Sequence, residues 1–227
     1  MVETQGRSLK SSLFLEGKRI YRKGGEFVSI ESAYATSSQY RAVTGKTDIG
    51  QDADILTDLK AISRYLDSKM GRFFTKDAED VARIYVAPEN TFALWVDDLS
   101  AALTTVKIDD NGDGLFEKTL AVADYELLPL NADKGPEPRP YTRIQLTPWG
   151  SYSTFIPGAR IEVTAQFGWP AVPLAIQQAT IHLTAILRLE SPRATRRISE
   201  LGEAIDTSPD AQRIIRQLTD QYRRIRV

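Results

Sequence analysis

The chain of 227 residues contains no cysteine and a single histidine, His182. Without cysteine it can form no disulfide, no thiolate metal site and no cysteine nucleophile. One histidine cannot supply a multi-histidine metal site, and no nucleophile that would form a charge-relay pair with it can be identified. We therefore interpret His182 as a packed or interface residue, and we predict no metal site.

Long apolar runs and the common catalytic motifs are also missing. No run approaches the ~18 apolar residues of a membrane span, and residues 1–20 lack the apolar core of a signal peptide, so we expect no membrane association and folding in the cytoplasm. There is no Walker loop, no G-x-G-x-x-G and no G-x-S-x-G. The carboxylate pairs Asp97–Asp98 and Glu79–Asp80 are interpreted as surface charge, because neighbours in a strand point to opposite faces. The sequence argues against an enzyme, and we predict neither catalytic residues nor a cofactor.

Charge is distributed unevenly along the chain although the net charge is only −1. Residues 1–25 carry six Lys/Arg against two acids, and residues 188–227 carry nine against six, whereas acids exceed bases between them. Basic ends are typical of segments that meet nucleic acid or an acidic partner surface, and a solvated terminal helix is the alternative.

Helical and β periodicity divide the chain. Residues 1–50, rich in Ser, Thr, Gly and Lys, show no sustained helical period and are interpreted as an extended arm. Apolar residues at three- and four-residue spacing predict a helix from about Asp52 to Gly71. Seven short runs between residues 81 and 169 alternate with period two and predict a small antiparallel β-domain. The loop 131–140, with three prolines, lies outside that sheet.

A second helix is predicted after Pro173, and its apolar residues cover two sides. One side carries Ile176, Ala179, Leu183 and Ile186; the other carries Ile181, Ala185 and Leu189. A helix that is apolar on two sides packs against its own domain and against a neighbouring subunit. We therefore assign a subunit interface to Ile181, His182, Ala185 and Leu189.

The stretch KIDDNGDGLFE, residues 107–117, begins like a calcium-binding loop. In the EF-hand pattern a bidentate Glu stands at the twelfth position, but Leu120 occupies it when counting starts at Asp109. Asn, Asp and Gly tolerate positive φ and cap their own backbone, so this stretch is interpreted as a hairpin connection. An incidental calcium site is the alternative. The three tryptophans are similarly interpreted as core or interface residues in preference to stacking platforms for single-stranded nucleic acid.

The C-terminal segment RIIRQLTDQYRRIRV combines an apolar strip with arginines. In a helix Ile214, Leu218 and Tyr222 recur on one side, and Arg223, Arg224 and Arg226 lie beside them. An apolar strip bordered by guanidinium groups suits a groove between acidic subunits. The alternative is a terminal helix that folds back on the chain's own β-domain.

The order of these segments resembles the head–tail connector (adaptor) proteins of long-tailed bacteriophages and phage-like particles. The resemblance covers residues 50–227 and rests on DLKAISRYLDSKMGRFF, the insert DDNGDGLFEKTLAVADYELLPLNA, the joint IEVTAQFGWPAVPLAIQQATIHLTAILRL and the arginine-rich end. It implies an α+β fold with a helical core, an inserted small antiparallel β-domain and extended terminal arms. The expected parts are an arm (1–50), a helical connector core (51–80 and 170–205), the β-insert (81–169) and a portal-docking segment (206–227).

The resemblance also implies a function. The subunits would form a homo-oligomeric ring, typically a dodecamer, at the head–tail junction of the virion, assembled in the bacterial host cytoplasm. Its partners would be the portal protein, contacted by Ile214, Leu218, Tyr222, Arg223, Arg224 and Arg226, and the next neck or tail-completion protein. DNA would pass through the lumen without specific binding. A calcium- or carbohydrate-binding β-module with helical flanks is the alternative function, and a hydrolase that uses a carboxylate pair is a third.

Overall fold

The computed structural model describes residues 20–23, 26–29, 32–89, 92–190 and 208–224, with the backbone alone for the first two stretches. In chain order the elements are β1 (Ile20–Lys23), β2 (Glu26–Ser29), α1 (Ser37–Thr44), α2 (Asp52–Met70), β3 (Val81–Val86), β4 (Ala93–Leu99), β5 (Thr105–Asp109), β6 (Lys118–Thr119), β7 (Tyr125–Leu128), β8 (Tyr141–Leu146), β9 (Arg160–Ala165), α3 (Leu174–Glu190) and α4 (Pro209–Tyr222). A short 3₁₀ turn, Val122–Asp124, precedes β7. The predicted α+β fold class is confirmed, and each of the seven predicted β runs contains a strand.

The β-strands form three antiparallel sheets. The hairpin β1–β2 is a sheet of its own; the order β3-β9-β5-β6 makes a four-stranded sheet, and β4-β8-β7 a three-stranded sheet. Alternate residues of the two larger sheets meet in one apolar core, which includes Val96, Ile144, Ile161 and Val163. These sheets therefore form one β-unit, inserted in the chain between α2 and α3.

The helices form a second unit around α2 and α3. The apolar side of α2 is fully buried from Ile55 to Met70, and it packs with Ile176 and Leu183 of α3 in the helical core. No helix among the described residues is long and apolar enough to cross a membrane.

Helix α1 differs from the extended arm expected for residues 1–50. Thr36 caps it, since its side chain accepts a hydrogen bond from the backbone N–H of Gln39 at 3.2 Å, and the Gln39 side chain accepts one from the Thr36 N–H at 2.8 Å. This reciprocal capping box starts a helix locally. Tyr40 of α1 is buried with Ile55, Leu59 and Ile181 in a third apolar cluster. Residues 1–19 lie outside the described part of the chain.

Gly168 joins the β-unit to α3 at a point where no side chain fits. Its φ of 111° lies in the region that favours glycine, and a Cβ there would stand 2.0 Å from the carbonyl oxygen of Thr75. Its N–H donates to the carbonyl of Asp98 at 2.6 Å. Glycine therefore lets the chain pass closely between the two units, and the next residue, Trp169, enters the helical core.

Candidate functional site

The C-terminal helix α4 is the predicted docking element, and the structure places its apolar strip inside the chain. Ser208 caps the helix and Pro209 occupies its first turn. Leu218 and Tyr222 are each only 5% exposed and belong to the helical core, against which Ile214 is partly buried. The helix folds back on its own chain, but its main contact is the helical unit, whereas the alternative interpretation placed it on the β-domain.

Tyr222 takes part in an aromatic cluster where the two units meet. Its ring centroid lies 5.7 Å from that of Phe74 and 5.6 Å from that of Trp169, and the Phe74 and Trp169 centroids are 5.3 Å apart. Edge-on and tilted rings at these separations attract one another beyond the burial of their area. The cluster holds the end of α4 against the joint that leads out of the β-unit.

Arg224 extends this attachment to strand β4. Its backbone N–H donates to the carbonyl of Met70 at 3.0 Å. Its guanidinium donates to a carboxylate oxygen of Asp97 at 2.7 Å and to the carbonyl of Val96 at 2.6 Å. The last described residue is therefore bonded to both the helical unit and the β-unit.

Asp97 and Asp98 have different surroundings, and only one of them fits the interpretation as surface charge. Burial alone would raise the pKa of Asp97, but hydrogen bonds from Arg83 and Arg224 outweigh it and hold that pKa below its ordinary value. Asp98 is only 5% exposed, and burial raises its pKa despite the opposing effect of Arg72. Asp98 accepts hydrogen bonds from Arg72 at 3.3 Å and from the Trp169 indole at 3.2 Å. It is a buried structural acid, contrary to the prediction.

The predicted docking residues are thus divided between core and surface. Leu218 and Tyr222 are not accessible to a partner in this structure, because the chain's own aromatic and aliphatic side chains cover them. Arg223 is exposed, Arg224 is bonded to Asp97, and Arg226 lies outside the described residues. Arg213 and Arg216 of α4 are also exposed. The exposed acids Asp210 and Asp220 share this side of the helix, and Arg213 donates to Asp210 at 2.8 Å, so the solvent-facing side is charged rather than apolar.

The predicted subunit-interface residues divide in the same way. Ile181 is 1% exposed and packs with residues of α1 and α2, and Ala185 packs against that cluster. The part of the second apolar side of α3 around Ile181 and Ala185 is therefore covered by the chain's own helices α1 and α2, and a neighbouring subunit is not needed to explain it. His182 is exposed, and Leu189 is 78% exposed. These two residues are the part of the set that a neighbour can reach.

The loop after β5 is the hairpin connection that the sequence predicts. It joins the antiparallel strands β5 and β6, and Gly112 and Gly114 have φ values of 80° and 89°. The buried carboxylate of Asp109 accepts the N–H groups of both glycines, at 2.8 and 3.0 Å. Ligand oxygens of Asp109, Asp113 and Glu117 lie within 4.8 Å of one another. Glu117 stands at the ninth position of the calcium-loop pattern. The sequence analysis did not identify it as a third carboxylate of this loop, because it considered only the twelfth position.

One of the three tryptophans is buried, and the second acidic pair is exposed. Trp169 is 3% exposed, which confirms core packing, whereas Trp95 and Trp149 are 52% and 78% exposed. The guanidinium of Arg143 lies 5.2 Å from the Trp95 ring centroid. Glu79 and Asp80 are exposed, as predicted.

Two solved structures share this fold over most of the chain. A chain from the neck of an empty gene transfer agent particle, computed with C6 symmetry, matches with a TM-score of 0.51 and 20% identity, covering 86% of this chain and 91% of that one. A chain from the virion of a native gene transfer agent particle matches with a TM-score of 0.51 and 19% identity over the same shares. No family model matches the sequence, and no curated protein matches it.

Proposed function

We propose that this chain is a structural protein of a virion neck, a head–tail connector (adaptor) whose copies form a ring on the portal vertex. The observation that carries the proposal is the fold shared with neck and virion chains of gene transfer agent particles over 86% of this chain. The ring extends the DNA channel and offers an attachment site to the next neck or tail component. We propose a structural role in place of a catalytic one, at the head–tail junction, with twelve copies as the expected number.

The portal contact that we propose uses the exposed side of α4. The buried strip holds the helix in place, so Arg216 and Arg223 remain to meet a carboxylate-bearing surface, together with Arg213, whose guanidinium also donates to Asp210 at 2.8 Å. Guanidinium groups bind carboxylates through two parallel hydrogen bonds and suit such an interface. His182 and Leu189, exposed on α3, are proposed to contact the neighbouring subunit of the ring.

The test is co-sedimentation of the full chain with purified portal rings of the same particle. We expect the chain to sediment with the portal and a variant with Arg213, Arg216 and Arg223 all changed to Ala to remain in the supernatant. In the matched control Lys46, Lys76 and Lys134, which are exposed outside α4, are all changed to Ala. Equal loss in both variants would show nonspecific attraction between charges, and no sedimentation of the unaltered chain would contradict the portal contact.

A further inference from the structure

Strand β3 is an edge of the four-stranded sheet. It pairs with β9 on one side, and no strand of the described chain pairs with its other side. The N–H of Ala87 donates to the carbonyl of Ala159 at 2.9 Å and continues this ladder by one residue. Antiparallel hydrogen bonds alternate along a strand, so Ala82, Ile84 and Val86 direct their N–H and C=O groups away from β9.

The side chains of this edge are apolar and exposed. Ile84 is 57% exposed and Val86 is 63% exposed, while Val81 and Tyr85 pack against the β core. Natural edges are protected by lysine, proline or inward-pointing charge. The only charged residue of the strand is Arg83, and its guanidinium is bonded to Asp77 and Asp97 at 3.1 and 2.9 Å. The edge is therefore open to another strand.

Like β4, β6 and β7, the strands of the hairpin β1–β2 also lie at sheet edges. Its two strands pair with each other and join neither of the larger sheets. A two-stranded hairpin alone is marginally stable in water, and it gains stability by adding to a sheet. The chain thus holds both a strand edge that lacks a partner and a hairpin that needs one.

The charges around the two elements are complementary. Residues 18–23 read KRIYRK, so basic residues stand on both sides of Ile20 and Tyr21. The exposed acids Asp80 and Glu89 stand on either side of β3. Opposite charges on neighbouring strands attract and fix which residues pair. This pattern favours β1, whose flanks are basic, as the strand that meets β3.

We propose that strand β1 of one copy adds to the free edge of β3 in a neighbouring copy. Within one chain β1 and β3 belong to separate sheets, so the pairing is assigned to two copies. Contact between two different surfaces of identical subunits is head-to-tail and generates a ring when the rotation closes. The proposal rests on the proposed function only for its ring geometry, and it needs no portal.

Disulfide trapping tests the pairing directly, because the natural chain has no cysteine. A full-length Tyr21→Cys chain, isotopically labelled, is mixed with unlabelled Ile84→Cys chain and oxidised, and mass spectrometry quantifies the peptide that joins positions 21 and 84. The control replaces Ile84→Cys by Trp149→Cys, a more exposed residue. We expect at least about tenfold more product from the first mixture, since pairing holds the two positions together. Equal yields, or no linked peptide, would overturn the proposal.

A backbone variant separates strand pairing from mere proximity. Val86→Pro removes an N–H that faces away from β9, so the ladder to β9 is retained. With the trapping cysteines kept at positions 21 and 84, we expect Val86→Pro to lower the yield of linked peptide about tenfold and Val86→Ile to leave it unchanged. Val86→Lys, which adds a like charge opposite β1, serves as a second variant in case the proline disturbs the fold. Undiminished trapping in both would overturn strand pairing, whereas lost trapping with intact portal binding would support it and leave the portal contact standing.

Discussion

Helix α4 and strand β3 each carry a row of apolar side chains, but the row of α4 is buried and the row of β3 is exposed. In α4, Leu218 and Tyr222 are each 5% exposed and pack among aromatic rings. In β3, Ile84 and Val86 are more than half exposed, beside backbone groups that face away from the sheet. A row of apolar side chains in the sequence predicts burial. Only the fold shows whether the side chains that bury it belong to the same chain.

This difference changes how the two elements contribute to assembly. Burial makes the apolar row of α4 part of the subunit's own stability and leaves the charged, exposed side for a partner. Exposure leaves β3 open to the proposed pairing with another chain. Substitutions in the buried row of α4 are therefore expected to act on folding, and those in β3 on association.

The largest effect is expected when the buried row of α4 is truncated. Changing Leu218 and Tyr222 together to Ala should lower the free energy of unfolding by at least about 5 kcal/mol, because each removes a core side chain and leaves a cavity. Urea denaturation followed by circular dichroism measures this change. Arg213→Ala with Arg216→Ala, on the exposed side, should change it by about 0.5 kcal/mol or less. A double variant as stable as the natural chain would return α4 to the role of a free docking helix.

Replacing Asp98, the buried acid where the β-unit meets the helical unit, should have the next largest effect. Asp98→Ala leaves the buried Arg72 guanidinium and the Trp169 indole without their shared acceptor. The expected loss is about 3 kcal/mol of unfolding free energy, as for other buried pairs that lose one member. Asp98→Asn keeps an acceptor oxygen and should lose less. Equal, small losses in the two variants would show that this carboxylate contributes little to joining the units.

Asp67 should make the stability of the helical unit depend on pH. Burial raises its pKa to about 6, while the nearby Arg64 and the hydrogen bond from Tyr34 oppose this shift. The folded chain therefore holds this proton at pH values where the unfolded chain has lost it. The stabilisation is greatest below pH ~4 and is lost as pH rises through about 6, with a total change on the order of 2–3 kcal/mol.

Comparing the Asp67→Asn variant with the natural chain isolates this contribution. The unfolding free energy of both is measured from pH 4 to pH 7, and the natural chain should lose stability relative to the variant as pH rises. The exposed Asp54→Asn serves as control. Parallel pH profiles for the natural chain and the Asp67→Asn variant would contradict the raised pKa.

The smallest effect is expected in the hairpin loop. Asp109→Ala removes the carboxylate that accepts two glycine N–H groups and should cost about 1 kcal/mol, the usual effect of losing a capping side chain. Asp113→Ala, at an exposed position of the same loop, should cost less than about 0.5 kcal/mol. Thermal melts of the two variants and the natural chain, with and without calcium, measure these differences in stability. A large stabilisation by calcium that both variants abolish would favour the calcium-binding module instead.

Local patterns predicted much of this fold, because the forces behind them act locally. The apolar spacing from Ile55 to Met70 gave the buried side of α2, and the period-two runs gave every strand of the β-unit. Helix α1 was missed although a signal was present, since Thr36 and Gln39 have the spacing of a capping box.

The contacts between the units could not be predicted in this way. Arg224 and Asp97 are 127 residues apart in sequence, and Trp169 and Asp98 are 71 apart. No periodicity links such pairs, so Asp98 was interpreted as surface charge and Tyr222 as a docking residue. Ile181 and Ala185 of α3 were assigned to a subunit interface for the same reason, because no local pattern indicates that α1 and α2 pack on that side of α3.

Electron cryomicroscopy of the full chain mixed with portal rings of the same particle tests the neck role most directly. We expect a closed ring of this chain on the portal, in register with the portal's symmetry, with the exposed side of α4 against the portal and an open central channel. Portal rings that remain bare at saturating concentrations of folded chain would contradict it.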